Sequence, residues 1–339
     1  MVDGYCPRFY CTWERCALAG GGTQAQMKCL VTGSAGFIGS TLSERLLELG
    51  HDVIGIDCFA DYYPADVKRA NIKNARGSSR FRFIEGDMIE LDLHGLLEGV
   101  DWVFHQAAQP GVRMSWGSYF DVYLRNNVQA TERLLEAAKG SGIRRLVYAS
   151  SSSVYGDSPE LPFRESARPQ PISPYGVTKL AGEHLCYLYY VNHGVPTVSL
   201  RYFTVYGPRQ RPDMGFHKFI RAALRGEELV VFGDGEQTRD FTYISDAVAA
   251  NILAAESEKA VGRVFNIGGG SRISVNAVLD ILRQLVGEIK VRHVEDRKGD
   301  MRHTMSDTTA AREVLGYSPK VGIREGLAHE VEWMRELPA

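Results

Sequence analysis

The sequence predicts an α/β fold, a doubly wound and mostly parallel sheet over residues 27–207 with a smaller mixed lobe over 208–339. Three observations predict it. Short apolar runs alternate with helix-period segments from residue 27 to residue 201, the pattern of parallel strands joined by right-handed crossovers. The first run turns through three glycines into a helical segment, and the second ends on an aspartate. After Gly207 the alternation gives way to loops rich in Gly, Pro and Arg at 207–215 and 233–240.

Residues 29–31 are long enough for the end of a buried strand. Gly33, Gly36 and Gly39 follow at three-residue spacing, and Leu42, Leu46, Leu47 and Leu49 then share one side of a helix. Strand, glycine turn and helix together offer backbone N–H groups and a helix N-terminus to a pyrophosphate. Glycine allows the close approach. A glycine triplet alone is weak evidence, and the second half of the unit decides the matter. Residues 51–56 read as another buried strand ending at Asp57, 24 residues after Gly33. A carboxylate there accepts from the adenosine ribose hydroxyls and repels a 2′-phosphate. The unit is Rossmann-type, and NAD is expected in preference to NADP.

The totals exclude other classes. A 339-residue chain with 44% hydrophobic and 24% charged residues is ordinary for a globular protein of one large or two modest domains. A formal net charge of −2 gives no reason to expect nucleic acid or an acidic membrane surface as partner. No stretch approaches the roughly 18–20 apolar residues that span a bilayer. Cys6, Cys11 and Cys16 match no familiar zinc spacing, and no metal is expected. Cys29, Cys58 and Cys186 are scattered through the body, which fits a reducing, cytoplasmic compartment. Residues 1–26 lack the pattern of a secretory signal and carry the run Gly20-Gly21-Gly22. They are expected to be a disordered or non-native leader, with the functional protein beginning near Met27.

Further along, 59–76 reads as loop and helix, 82–85 as a third strand and 102–105 as a fourth. Asp87, just past the third strand, could receive an adenine amino group, and Ala107 and Ala108 would let a cofactor lie against backbone. Residues 126–139 read as one amphipathic helix with Val128, Leu134, Leu135 and Ala138 inward. A fifth strand at 146–149 runs into the serines 150–153, a proline-rich loop at 158–174 leads to a helix at 175–193, and 197–201 is a sixth strand. Residues 264–267 look like a late strand returning to the main sheet. The remainder is expected to be helix and loop.

Tyr175 and Lys179 stand at i and i+4, on one helix face. A phenol with a pKa of about 10 is a poor base at neutral pH, and a neighbouring ammonium favours the phenolate. Such a pair is common by chance. Here it follows a glycine turn, an acidic strand end and serines at a strand terminus, where open parallel sheets place their active sites.

At this point the chain resembles the extended short-chain dehydrogenase/reductase family, in its nucleotide-sugar branch, over about residues 28–335. The resemblance implies a Rossmann domain followed by a substrate-binding lobe, with a catalytic triad of Ser151, Tyr175 and Lys179. It also implies tightly held NAD, contacted by Gly33, Gly36, Phe37, Ile38, Gly39, Asp57, Asp87, Met88, Gln106, Ala107, Ala108, Asn126, Tyr175 and Lys179. Members oxidise the sugar at C4. Dehydratases carry Asp-Glu immediately before Val-Tyr-Gly, and the uronate decarboxylases usually keep the glutamate. Here Ser152-Ser153 precede Val154-Tyr155-Gly156, which disfavours elimination and favours 4-epimerisation. Asp61-Tyr62-Tyr63, the segment 108–113 and the segment 202–214 are similar to those of UDP-glucuronate 4-epimerases. UDP-galactose epimerases typically have asparagine in place of Thr204. Pro110 departs from the alanine usual in the subfamily.

A substrate carboxylate at C6 wants a guanidinium or several hydroxyls. Arg113, Ser151, Ser152, Ser153, Tyr175, Thr204 and Arg211 are the candidates at the sugar. Arg239, Arg297 and Asp300 match positions that hold the diphosphate and ribose, and Arg302 is a further candidate. The expected ligand is UDP-glucuronate or UDP-galacturonate. Helices at 129–139 and 182–193 would form a homodimer interface of the kind common in the family. A UDP-glucuronate decarboxylase and a catalytically silent NAD-binding module are the alternatives.

Overall fold

The computed structural model describes residues 25–158, 160–295 and 301–337. All but the last two residues of the expected leader therefore lie outside the described residues. Six strands form the main sheet in chain order: β1 (Lys28–Thr32), β2 (Asp52–Asp57), β3 (Phe81–Glu85), β4 (Trp102–His105), β5 (Arg145–Ser151) and β6 (Thr197–Tyr202). They pair in parallel in the spatial order β3-β2-β1-β4-β5-β6. The order reverses at β1 and β4, so the crevice that binds ligands in such sheets opens at the carboxyl ends of those two strands. Strands β4, β5 and β6 are buried along their whole length, because helices cover both faces; this is why they read as continuous apolar runs. At the edge, β3 exposes Arg82 and Glu85, charges that blunt an otherwise open edge.

The remaining strands are β7 (Thr204–Tyr206), β8 (Glu228–Phe232), β9 (Thr238–Tyr243), β10 (Val264–Ile267), β11 (Arg272–Ser274) and β12 (Lys290–Val294). β10 adds in parallel to β6 as the seventh strand. The expectation of helix and loop elsewhere after residue 208 is corrected. The strands β8, β9, β11 and β12 stand there, in a three-stranded sheet β11-β9-β7 and a two-stranded sheet β12-β8, and charged residues such as Arg239 and Asp240 in β9 and Lys290 and Arg292 in β12 break up the apolar runs that marked the main-sheet strands. Among the described residues no helix is long and apolar enough to cross a membrane.

A second correction concerns 126–139. The segment is a π-helical turn, Leu124–Gln129, followed by the α-helix Ala130–Ala138. The wider turn rotates the register. Asn127 is buried, Val128 only partly, and Leu134, Leu135 and Ala138 face the core. β5 is also longer than expected, so Ser150 and Ser151 are strand residues.

The long helix, Pro174–His193, starts one residue earlier than the apolar pattern suggests. Pro174 occupies its first turn, and Ser173 caps it by accepting from Gly176 N at 3.1 Å. Gly182 lets this helix lie on β5, since a Cβ there would stand 2.1 Å from the Tyr148 hydroxyl. That close contact aims Lys179 at the end of the strand.

Candidate active site

Two cavities meet above the carboxyl ends of the strands. The first, about 220 Å³, is lined by every residue expected to hold NAD, from Gly33 through Asp57, Asp87 and Asn126 to Tyr175 and Lys179. The second, about 320 Å³, is lined by Ser151, Ser152, Ser153, Tyr175, Thr204, Arg211 and Arg239. Phe37, Ile38, Pro110, Ser150, Tyr175, Tyr202 and Arg211 line both. The phenol of Tyr175 and the guanidinium of Arg211 thus stand where the two cavities join.

The first cavity fits a dinucleotide on its own geometry. Gly33 has φ +68°, and a Cβ there would stand 2.7 Å from Ala107 N. Gly36 begins the helix Phe37–Glu48 without a side-chain cap, and the first turn carries no acidic residue. Its N–H groups and positive end are therefore left for an anion. A Cβ on Gly39 would lie 2.2 Å from the Gly33 carbonyl oxygen. Gly39→Ala must push the helix off the turn, an overpacking effect of about 1–3 kcal/mol. The expected result is a lower melting temperature together with less NAD retained on purification; unchanged NAD content would refute the tight-turn argument.

Asp57, at the end of β2, accepts from Ala35 N at 3.1 Å and Phe59 N at 2.8 Å. Burial raises its pKa, opposed by those N–H groups and by Lys68. Asp87 is committed to Arg125 at 2.6 Å and to Ile89 N at 2.9 Å, so it reaches a base only with its remaining acceptor capacity. Gln106 donates to Asn251 Oδ1 at 2.9 Å and accepts from the Tyr202 hydroxyl at 3.3 Å. Ala107 N donates to Thr32 Oγ1 at 3.2 Å, which holds the chain flat beside the glycine turn.

Tyr175 is partly exposed to the cavity, and removal of its phenol from water raises its pKa; the Ser151 hydroxyl, hydrogen-bonded to the phenol, and the charge of Arg211 act in the opposite direction. The sequence reading assigns this role to Lys179 and a nearby cationic nicotinamide; within the chain, Ser151 and then Arg211 act on the phenol in that direction. Lys179 instead donates to the Ala149 carbonyl at 2.8 Å, with its ammonium 5.3 Å from the centre of the Tyr148 ring. Burial lowers its pKa to about 7, against the pull of Cys186 and Glu183.

The sign of the linked stability follows. An unfolded lysine binds its proton up to pH about 10.4, the folded one only to about 7. Between these values the unfolded state holds the extra proton, so this site makes stability rise with pH. In cofactor-free protein, Lys179→Met is expected to be most favourable near pH 6 and to lose that advantage towards pH 9. Melting temperatures of both proteins across that range check it; a pH-independent difference would contradict it.

Thr204 and Arg239 sit on the second cavity, Arg239 donating to the carbonyls of Thr238 and Arg302, each at 3.0 Å. Arg113 is not among that cavity's lining residues. Its guanidinium lies 4.8 Å from the Phe232 ring centre, towards the Gly233 turn. Arg302 pairs with Asp234 at 2.8 Å. Arg297 and Asp300 lie outside the described residues.

Two supporting groups escaped the sequence reading. Asn127 accepts from Gln109 N at 2.6 Å and donates to Gln109 O at 3.1 Å and Thr178 Oγ1 at 3.0 Å. It ties the loop after β4 to the long helix. Glu183 and Arg201 form a buried two-pronged pair, 2.8 and 2.7 Å, and Ser150 donates to Glu183 as well. An apolar-face glutamate four residues after Lys179 was the available signal.

The profile of the NAD dependent epimerase/dehydratase family matches residues 29–268. An uncharacterized UDP-glucose epimerase of Bacillus subtilis is 46% identical over 92% of this chain and 99% of its own. A UDP-glucuronate 4-epimerase of Thermodesulfobacterium geofontis is 39% identical over 91% of this chain and 96% of its own. Among solved structures, UDP-glucuronic acid 4-epimerase from Bacillus cereus, in complex with UDP-glucuronic acid and NAD, is similar with a TM-score of 0.89. The identity is 45%, covering 91% of this chain and 99% of that one.

Proposed function

This chain belongs to the NAD dependent epimerase/dehydratase family, and from that premise we propose that it interconverts UDP-glucuronate and UDP-galacturonate by 4-epimerisation. The observation that carries this reading is the composition of the second cavity. Among the described residues its lining holds two arginines, Arg211 and Arg239, with Tyr175, Thr204 and the serines, and no Asp, Glu or His. Two guanidiniums suit a diphosphate and a carboxylate at opposite ends of one substrate. Without an acid–base carboxylate, elimination lacks its proton carrier. A neutral hexose would leave the N–H edge of Arg211 that Asp213 does not use without a charged acceptor.

The glycine turn and Asp57 would hold the pyrophosphate and ribose of NAD, which when bound would supply hydride acceptance from C4 and hydride return to the opposite face. Tyr175 takes the C4 hydroxyl proton and gives it back, with Ser151 oriented on the same oxygen. Lys179, fixed to the Ala149 carbonyl on the wall of the first cavity, would donate to a ribose hydroxyl of the bound dinucleotide. Arg239 serves the diphosphate, and Arg113, beside Phe232, serves the same arm of the nucleotide. Between the two hydride steps the 4-keto uronate is a β-keto acid, prone to lose carbon dioxide. Arg211 with Thr204 and Ser151–153 holds its carboxylate where the breaking bond does not align with the carbonyl π system, while the ring turns over.

The same reading includes a cytoplasmic homodimer. Free thiols at Cys29, Cys58 and Cys186 support the compartment. Exposed Val122, Leu124, Tyr187, Leu188 and Val191 support a helix-paired dimer. A contact one turn ahead of 129–139 and along the long helix would cover them.

The test is to incubate purified protein with UDP-glucuronate and no added NAD. UDP-galacturonate is the expected product. A pentose as main product, or turnover of UDP-glucose but not of UDP-glucuronate, would overturn the proposal.

A further inference from the structure

Arg211 is gripped by the residue two places after it. Its Nε donates to Asp213 Oδ1 and its Nη2 to Asp213 Oδ2, both at 3.0 Å. This side-on pairing uses one edge of the guanidinium. The end-on edge, formed by Nη1 and the outer hydrogen of Nη2, remains for another acceptor. Burial would push the Asp213 carboxyl up, yet Arg211 and the Tyr62 hydroxyl hold it below its ordinary value, so the acceptor is ionised.

The grip is itself braced. The Tyr62 hydroxyl donates to Asp213 Oδ2 at 3.2 Å. Tyr62 comes from the loop after β2 and reaches Gly111, where a Cβ would stand 2.4 Å from its hydroxyl. On the other side of Arg211, Gln210 is buried and pinned by Val205 O at 3.1 Å and His217 N at 2.9 Å. Pro212 fixes the backbone between Arg211 and Asp213. A long side chain that would otherwise sample many rotamers is thereby held at both its backbone and its tip.

We propose that Asp213, braced by Tyr62, is a positioning residue for uronate specificity: it presents the end-on edge of Arg211 to the C6 carboxylate of the substrate. The proposal rests on the UDP-uronate reading above. Asp213 partly compensates the charge of Arg211, so the substrate is held by two aimed N–H groups rather than by net charge. Without that aim the carboxylate is still attracted, but its position no longer keeps the C5–C6 bond out of line with the π system of the C4 carbonyl.

The experiment measures two things in wild type, Asp213→Asn and Tyr62→Phe. One is the share of pentose and carbon dioxide formed from UDP-glucuronate relative to UDP-galacturonate. The other is the ratio of calorimetric affinities for UDP-glucuronate and UDP-glucose. Asp213→Asn is expected to raise the pentose share and lower the affinity ratio about ten-fold, the scale of one lost charge-assisted hydrogen bond. Tyr62→Phe moves both in the same direction by less, and it stands in if the first variant misfolds. Added to Arg211→Ala, Asp213→Asn changes neither. An unchanged pentose share and affinity ratio, tighter UDP-glucuronate binding, or an undiminished effect in the Arg211→Ala background would each overturn the assignment. If wild type makes no UDP-galacturonate, the proposed function fails; the affinity ratios still decide the role of Asp213.

Discussion

Tyr175→Phe lowers the turnover of UDP-glucuronate by about 10³-fold, within the range for losing a positioned general base, and leaves substrate and NAD binding nearly intact. The argument is local. The ring keeps its edge contact with Tyr123, at 6.3 Å between centres, and only the hydroxyl disappears. Among the described residues that line both cavities the other titratable groups are Arg211 and Tyr202; the Tyr202 hydroxyl is committed to Asn251 Oδ1 at 2.9 Å and burial raises its pKa, and a guanidinium does not deprotonate in a protein. On the proposed mechanism phenolate is the form that works, and Arg211 is the charge that favours it. In Arg211→Ala the limb of the kcat/KM profile that reports the base should therefore move to higher pH. Single-turnover assays with calorimetric binding controls check the first expectation. A variant retaining more than about a tenth of wild-type turnover would show that another group is the base, since the weakest general-base effects are already about 10²-fold.

What could be read from the sequence is what short-range chemistry encodes. The turn from Gly33 to Gly39 and the aspartate ending β2 lie within one strand–helix–strand unit, so their spacing carries the site almost by itself. Tyr175 and Lys179 share one helix face for the same reason. Thr204 and Arg211 were reachable through a motif, and the cavity does bring them to Tyr175. The misses are groups whose partners are distant in the chain. Asn127 acts across 18 residues on Gln109 and across 51 on Thr178. The π-helical turn that buries it leaves no mark in an apolar count. Arg113 was aimed at the sugar because it stands in the motif-like segment 108–113, yet its guanidinium lies against Phe232. Lys179 was given the phenol as its partner from helical spacing alone. Its ammonium goes to the end of β5, a direction set by how closely Gly182 lets the helix approach Tyr148.

Arg201→Met is expected to destabilise the protein by about 3–5 kcal/mol, the cost of leaving one member of a buried ion pair without its partner. Both side chains are 4% exposed, so water cannot replace the guanidinium. The pair is a junction as well as a contact. Through Nη1, Arg201 donates to the Tyr155 hydroxyl at 2.9 Å, and that hydroxyl donates to Asn266 Oδ1 at 2.6 Å. Asn266 Nδ2 in turn holds the carbonyls of Phe163, at 2.8 Å, and Asp307, at 3.2 Å. Phe163 N is bonded to Met305 O at 2.7 Å, in the segment that brings Met301 and Thr304 to the substrate cavity. The end of β5, β6, β10, the proline-rich loop and that segment are therefore tied through one charged centre. Loss of Arg201 should loosen the cavity wall as well as lower the melting temperature, raising KM more than it lowers kcat. Glu183→Gln combined with Arg201→Met removes both charges and should recover much of the stability, while Tyr155 stays unbraced and KM stays high. Denaturant midpoints with kinetics on the two single variants and the double variant separate these effects. A single variant within about 1 kcal/mol of wild type, the level of an exposed pair, would mean that the junction is not the centre the contacts describe.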